Sequence, residues 1–348
     1  MINSGLSQLG ILKFLWAKGQ DGEWRIHDLK GLTLRPRPGS EPDFFTFESK
    51  MEMLTNRPLV ADRYGWLTSF GPTDFLVKQS IVPVVSWVEG DAFIRCIGTA
   101  FVISCTGYVI TACHVLLDPC DQKRAKLVRD NNSITFADGM RFGVLIPLSS
   151  ATGSTGHLFY QFKDCRAWGH WKDSPFPYDD PSFEMLTDVA ICTIGLLPDN
   201  SGHQTLGLSL KPFKRDERAI VVGYAEMNDI PIENRDGTAM VPEFEHDLYV
   251  SVGPVKDIFP DNHTRKEART PGPCFDFLAK IPGRMSGAPI FGADGGVVRG
   301  VVSSSFSEAK HAFGAMLGPA MHLPLGNGVT LQAIMDSGNE GIAKAANI

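Results

Sequence analysis

The stretch "GTAFVISCTGYVITACHVL", Gly98 to Leu116, reads as two short strands around a tight turn. Each arm is a run of Val, Ile, Phe and Thr too short for an ordinary helix, and "CTG" between them is turn chemistry. The second arm ends on His114. A strand end is where a side chain leaves the core while its backbone stays fixed, and "HVLLD" then continues as a short helical turn. This hairpin sets the grammar for the rest of the chain.

Working outward, "SIVPVVSWV" and "FIRCIGTAFVIS" flank the turn "EGDA", and further strands follow at "DVAICTIGLL", "RAIVVGYA", "DLYVSVGPV", "CFDFLAKI" and "APIFGADGGVVRGVVSSS". The last of these carries its own tight turn, "DGG". Short apolar runs punctuated by Gly, Asp and Asn predict an all-β protein, and two antiparallel barrels or sandwiches would use these strands. A polar connection, "LPDNSGHQTLG" from Leu197 to Gly207, places the seam between a first unit, residues 76–200, and a second, residues 201–335. Residues 1–75 form an N-terminal extension of unknown role: they mix loop text, "RPRPGSEPD", with "FFTFESKMEML", which predicts a short helix. Near the other end "VTLQAIMDSG" predicts a short C-terminal helix with Thr330 as N-cap and Gly338 as stop, and residues 336–348 are a tail.

The 348 residues are 43% hydrophobic and 21% charged, ample for a large core and about two domains. A net charge of -6, without a long run of Lys or Arg, argues against nucleic acid as a partner. The apolar stretch "LGILKFLWA", Leu9 to Ala17, is too short to span a bilayer and lacks a basic leader, so it predicts a buried helix or strand, with no membrane partner and no signal peptide. Seven cysteines, an odd number, fall largely inside apolar runs. That pattern predicts free thiols, no required disulfide and a cytoplasmic, reducing location.

"GRMSGAPIF", Gly283 to Phe291, puts Ser286 in a glycine-flanked turn. Gly283 and Gly287 permit positive φ there. A serine hydroxyl is a poor nucleophile until a base takes its proton. Of the nine histidines, His114 has the context for that work. An imidazole base needs a buried carboxylate to hold its tautomer, and Asp188, directly before the apolar run of "LTDVAICTI", is the candidate. Asp179 and Asp180, in the Pro-rich "FPYDDPSF", read as solvated. A metal site using Cys113, His114 and Cys120 has the right ligand types but no paired C-x-x-C geometry. No cofactor is expected.

These three blocks, His114 in "GTAFVISCTGYVITACHVL", Asp188 in "TDVAI" and Ser286 in "GRMSGAPIFGADGGVVRGVVSSS", resemble in type and order those of the chymotrypsin-like (trypsin-fold) serine peptidases, especially intracellular bacterial members. The resemblance covers residues 80–330. It implies two six-stranded antiparallel β-barrels with the active site between them, His114 and Asp188 from the first and Ser286 from the second. It also implies a serine endopeptidase working through an acyl-enzyme on a protein or peptide substrate. The backbone N–H groups of Arg284 and Ser286 would form the oxyanion hole, and Ser303 would support Asp188. Substrate would pair along Ser303, Ser304 and Ser305, with Lys280 at the floor of the pocket for the side chain before the cut.

Three departures stand out. Arg284 occupies a position where the family usually has glycine, Met285 replaces the aspartate that pairs with a newly cut N-terminus in secreted members, and Cys113 precedes His114 where their cysteine follows the histidine. Latency would then rest with Arg284, residues 1–75 or a regulatory protein partner, and the rival reading is a catalytically silent peptide-binding module of the same fold. Around Lys280 neither Leu278, Ala279, Ile281 nor Pro282 is acidic, so an uncharged small or medium side chain is expected before the cut, not Lys or Arg.

Overall fold

The computed structural model describes residues 14–18, 24–28, 33–35, 63–68, 80–104, 106–117, 124–128, 132–147, 157–173, 176, 182–195, 205–235, 238–241, 248–260, 270–292, 297–306 and 311–337. Four strands precede the barrels: β1 (Phe14–Lys18), β2 (Trp24–Asp28), β3 (Thr33–Arg35) and β4 (Arg63–Thr68). The helix expected over "FFTFESKMEML" lies outside the described residues.

The first barrel begins with β5 (Ile81–Val88), β6 (Phe93–Val102) and β7 (Tyr108–Thr111), then the one-turn helix α1 (Cys113–Leu116). It continues with β8 (Ala125–Val128), β9 (Ser133–Phe136), β10 (Met140–Pro147), β11 (His157–Gln161), β12 (Asp164–Lys172) and β13 (Ser182–Thr193). Hydrogen bonding runs β11-β10-β5-β6-β7-β13-β12-β9-β8. β9 and β10 sit far apart along that path, yet one short turn joins them, with the Met140 N–H donating to the Ala137 carbonyl at 3.0 Å. The sheet is therefore curled onto itself. β6, flanked by β5 and β7, alternates exposed and buried residues up to Cys96 and is then buried without a break from Gly98 to Val102, a run that carries no charge and whose one polar side chain, Thr99, is hydrogen-bonded.

β14 (Thr205–Leu206), β15 (Arg218–Tyr224), β16 (Ile230–Pro231), β17 (Glu233–Arg235), β18 (Thr238–Val241) and β19 (Leu248–Phe259) follow, then β20 (Cys274–Phe277), β21 (Pro289–Gly292), β22 (Val298–Phe306) and β23 (His311–Met316). The order β15-β21-β22-β23-β20-β19, with β19 pairing back onto β15, closes a six-stranded barrel. Its interior holds Phe213, Tyr249, Phe275, Phe277, Met285 and Ile290. Two cross-connections tie the chain together. β16 pairs with β6 and the β17–β18 hairpin with β11, so the segment after β15 reaches back to the first barrel. β4 pairs along β19, and β1 pairs with β14.

The C-terminal helix α2 (Leu331–Ser337) buries Leu331, Ile334 and Met335. The Thr330 hydroxyl accepts the Ala333 N–H at 3.2 Å, the N-cap expected from sequence; Gly338 and the "DGG" turn lie outside the described residues. Among the described residues, no helix is long and apolar enough to cross a membrane.

Candidate active site

The site is assembled by irregularities in otherwise regular strands. A β-bulge adds an unpaired residue, bends the strand and re-aims a side chain, and bulges occur beside functional sites. β6 bulges at Ile97, between the pairs Val84–Gly98 and Val85–Cys96. β22 bulges at Ser303, between Val302–Gly314 and Ser304–Phe313. Between β12 and β13 the register breaks from Ala167–Ala190 to Gly169–Met185, and Asp188 sits in that break. Asp188 therefore lies inside a long strand that begins at Ser182, not directly ahead of a strand as the apolar run suggested.

Asp188 is buried, its side chain only 3% exposed. One oxygen, Oδ1, accepts the His114 backbone N–H at 2.9 Å, and Oδ2 lies 2.7 Å from His114 Nδ1. Oδ2 also accepts the Ser303 hydroxyl. Ser303 in turn accepts a hydrogen bond from the Thr270 hydroxyl at 2.9 Å, and Thr270 lies 3.2 Å from the Ser304 hydroxyl. With Asp188 accepting from the His114 backbone and the Ser303 hydroxyl, its Oδ2 is placed to accept a proton carried on His114 Nδ1, the tautomer that leaves Nε2 with its lone pair. β7 ends at Thr111, short of His114 where the sequence placed the strand end; His114 is the second residue of α1, so its backbone is held by that turn while a third of its side chain stays exposed.

Ser286 reaches this pair from the second barrel. Its carbonyl accepts the Thr99 N–H of β6 at 2.8 Å, a direct backbone bond between the two barrels. Gly287 makes the approach feasible: at φ +88° a Cβ there would stand 2.1 Å from the Thr99 carbonyl oxygen. Gly98 is as tightly placed, since its Cβ would meet Val115 at 2.8 Å and the Ser286 carbonyl at 2.9 Å. The Ser286 hydroxyl donates to the Ser303 carbonyl at 3.3 Å.

The second left-handed residue of the turn is Arg284, at φ +75°, while Gly283, expected to use its freedom, does not adopt positive φ. For a residue with a side chain that conformation costs about 1–2 kcal/mol. Three bonds hold it. The Gly283 carbonyl accepts the Glu226 N–H at 3.0 Å, the Arg284 carbonyl accepts the Thr99 hydroxyl at 3.2 Å, and the Arg284 guanidinium donates to the Cys96 carbonyl. In a trans peptide N–H and C=O point opposite ways, so the Arg284 N–H projects away from Glu226. Among the described residues, neither the Arg284 nor the Ser286 N–H donates to a backbone carbonyl, whereas Gly287 and Ala288 donate to Val302 and Met285. Met285, fully buried, packs in the core of the second barrel where secreted members place a charge.

Beside Ser286, the Ser305 hydroxyl donates to the Ile281 carbonyl at 3.0 Å, so the segment carrying Lys280 lies against β22. Lys280 itself follows the end of β20. Thr270 and Glu226 had no signal in the sequence: they act through hydrogen bonds set by the fold. Cys96, Cys113, Cys165, Cys192 and Cys274 are buried free thiols. Burial pushes Cys96 up to about 12, opposed by Arg284. Burial, then Asp188 and Cys192, push Cys113 well up, so the neighbour of His114 stays a protonated thiol. Among the described residues no group of three or more His, Cys, Asp or Glu could hold a metal ion; Cys120 lies outside them.

Two barrels that bring a carboxylate-held histidine to a serine turn define the chymotrypsin-like class of serine peptidases. The chain belongs to the trypsin-like peptidase domain family, whose profile matches residues 98–301 and so spans His114, Asp188 and Ser286. The protein is thus a serine endopeptidase acting on protein or peptide substrates. No curated protein matches the chain. Among solved structures it is similar to the Rv3671c protease of M. tuberculosis in its active form (18% identity over 71% of this chain and 79% of that one, TM-score 0.36). It is also similar to Deg5 (16% identity, 71% and 88%, TM-score 0.38) and to the thermostable serine protease AL20 from an extremophilic microorganism (15%, 69% and 92%, TM-score 0.38).

Proposed function

We propose that the protein cuts peptide bonds through the triad His114, Asp188 and Ser286. The observation that carries this reading is the buried Asp188 committing one oxygen to each of the two N–H groups of His114. Ser286 Oγ, turned from the Ser303 carbonyl toward His114, attacks the scissile carbonyl as Nε2 takes its proton. His114 then passes that proton to the leaving amine, and the acyl-enzyme is released by water activated the same way. The N–H groups of Arg284 and Ser286 receive the oxyanion, each such donor contributing about 3 kcal/mol.

The acyl half of the substrate pairs along Ser303, Ser304 and Ser305 as an added strand. Its last side chain enters between β22 and the Lys280–Ile281 segment, where the Ser305–Ile281 bond ties the two walls together. That wall-to-wall bond, without a nearby carboxylate in "FLAKIP", supports a small or medium uncharged residue before the cut. The division into residues 76–200 and 201–335, flanked by 1–75 and 336–348, belongs to the same proposal, as does gating by the N-terminal segment or a partner. The buried free thiols support a reducing, cytoplasmic setting. A silent peptide-binding module would bind the same strand without turnover. A fluorophosphonate probe separates the two: it labels Ser286 if His114 activates it, and leaves the protein unlabelled if the module is silent.

A further inference from the structure

β7 pairs along β6 as far as the pair Ala100–Thr111, and the serine turn takes the next place on that strand. Thr99 stands at this junction and is fully buried. Its N–H donates to the Ser286 carbonyl at 2.8 Å, and its carbonyl accepts the Thr111 hydroxyl at 2.8 Å. Its hydroxyl accepts the Tyr224 N–H at 3.0 Å, which leaves one proton to donate. That proton faces the Arg284 carbonyl at 3.2 Å and, at 3.4 Å, the Tyr224 carbonyl. β15 passes close by: a Cβ at Gly223 would stand 3.2 Å from this hydroxyl and 2.7 Å from the Ala288 Cβ.

Four successive carbonyls of the turn each have a donor. Gly283 accepts the Glu226 N–H at 3.0 Å, Arg284 the Thr99 hydroxyl, Met285 the Ala288 N–H at 3.0 Å, and Ser286 the Thr99 N–H. N–H and C=O of a trans peptide point opposite ways, so the first and third of these bonds aim the N–H groups of Arg284 and Ser286. Thr99 supplies the second and fourth. The Arg284–Met285 peptide is the covalent link between the two donor peptides, and turning it changes the angle between their N–H groups. Glu226 and Ala288 each fix the plane of one donor, whereas the Thr99 hydroxyl fixes the link.

We propose that Thr99 is a positioning residue for the reaction: its hydroxyl sets the angle between the two oxyanion donors, so that both converge on one oxygen. It acts through Arg284 and touches no reacting atom. Through the Tyr224 N–H the same hydroxyl ties that angle to β15, and so joins a strand of each barrel to the turn between them. The inference rests on the Ser286 mechanism and on the N–H groups of Arg284 and Ser286 receiving the oxyanion.

The test compares two variants of the full chain on one cleaved peptide. Thr99→Val fills the same space without a donor, and Thr99→Ser keeps the hydroxyl. A misplaced oxyanion donor costs about a hundredfold in rate, so the valine variant should lose at least about tenfold in kcat with KM changed by less than about twofold. The serine variant should stay within about threefold of the parent in kcat. A peptidyl trifluoromethyl ketone, whose adduct with Ser286 carries the oxyanion, should bind the valine variant more weakly by the factor lost in kcat/KM. The acyl-side product peptide should bind both variants as it binds the parent. The pH–rate profile should keep its shape, because the bonds of this hydroxyl go to Arg284 and Tyr224 rather than to His114. If the valine variant does not fold, Thr99→Ala against Thr99→Ser gives the same comparison. A valine variant that loses less than about tenfold in kcat overturns the proposal, as does an equal loss in the serine variant. So does a loss carried by KM with ketone affinity unchanged. Failure of the mechanism itself looks different: the parent protein cleaves no peptide and takes no fluorophosphonate label on Ser286.

Discussion

The first barrel holds its half of the site with side chains, and the second holds its half with backbone. His114 is fixed by a buried carboxylate that is itself held by Ser303, while Ser286 is fixed by two residues in left-handed conformation, Arg284 and Gly287, and by the Thr99–Ser286 backbone bond. The halves should therefore fail differently. Damage to the first removes proton transfer and leaves the fold nearly intact. Damage to the second shifts the docking of the barrels and lowers stability as well as rate.

The largest expected effect comes from the proposed nucleophile. Ser286→Ala should lower kcat by about a millionfold, leaving only what the oxyanion hole and binding provide, with a thermal midpoint close to that of the parent. Steady-state cleavage and calorimetry check both parts, and undiminished turnover would break the comparison at its root. Asp188→Asn should cost about 10⁴ in kcat, because an amide presents a donor where His114 and Ser303 need an acceptor and so favours the wrong tautomer. A rate within a factor of ten of the parent would move the orienting role to another group.

Gly287→Ala tests the backbone half. A Cβ placed 2.1 Å from the Thr99 carbonyl oxygen, at a left-handed φ, must push the barrels apart, and we expect a loss of about 4 kcal/mol or more in denaturant titrations. A smaller pair sharpens the point. Arg284→Gly and Arg284→Ala both lose the guanidinium anchor, so they differ by the left-handed cost alone, and the glycine variant should be more stable by about 1 kcal/mol. Equal stabilities would mean that the φ of +75° is not kept in solution.

How much of this was legible in the chain follows the same division. Side-chain chemistry announces itself by residue type, so the proposed triad of His114, Asp188 and Ser286, and Ser303 which bonds Asp188, could be picked out from short motifs, as could the strands around them and the Thr330 cap. Backbone chemistry is less visible. Gly283 and Gly287 looked equivalent as turn glycines, yet the fold uses Gly287 and sends Arg284, not Gly283, into the left-handed region. The position of Asp188 inside β13 could not be read from an apolar run, because the register break that frees it depends on pairing with β12. Thr270 and Glu226 contribute through contacts that only tertiary pairing creates. The strands within residues 1–75 show why that segment carried no motif: β4 and β1 join existing strands through backbone bonds, which demand little of their sequence.

The smallest expected effect is a null one. The five described thiols are buried, and burial holds Cys96, Cys113 and Cys165 above their ordinary range, so these three stay protonated and inert to alkylation in the native state up to at least mildly alkaline pH. Unfolding midpoints with and without reductant should agree. A large fall under reductant would mean that a disulfide, not the barrel core, secures the His114 half.

The central claim is that Ser286 is a nucleophile activated by His114, and the most direct measurement is to label the native full-length protein with a fluorophosphonate and locate the adduct by peptide mapping. The account predicts one adduct, on Ser286, with labelling lost in Asp188→Asn on the same timescale as cleavage is lost. An adduct on another residue, or robust peptide cleavage with Ser286 unmodified by the probe, would contradict it.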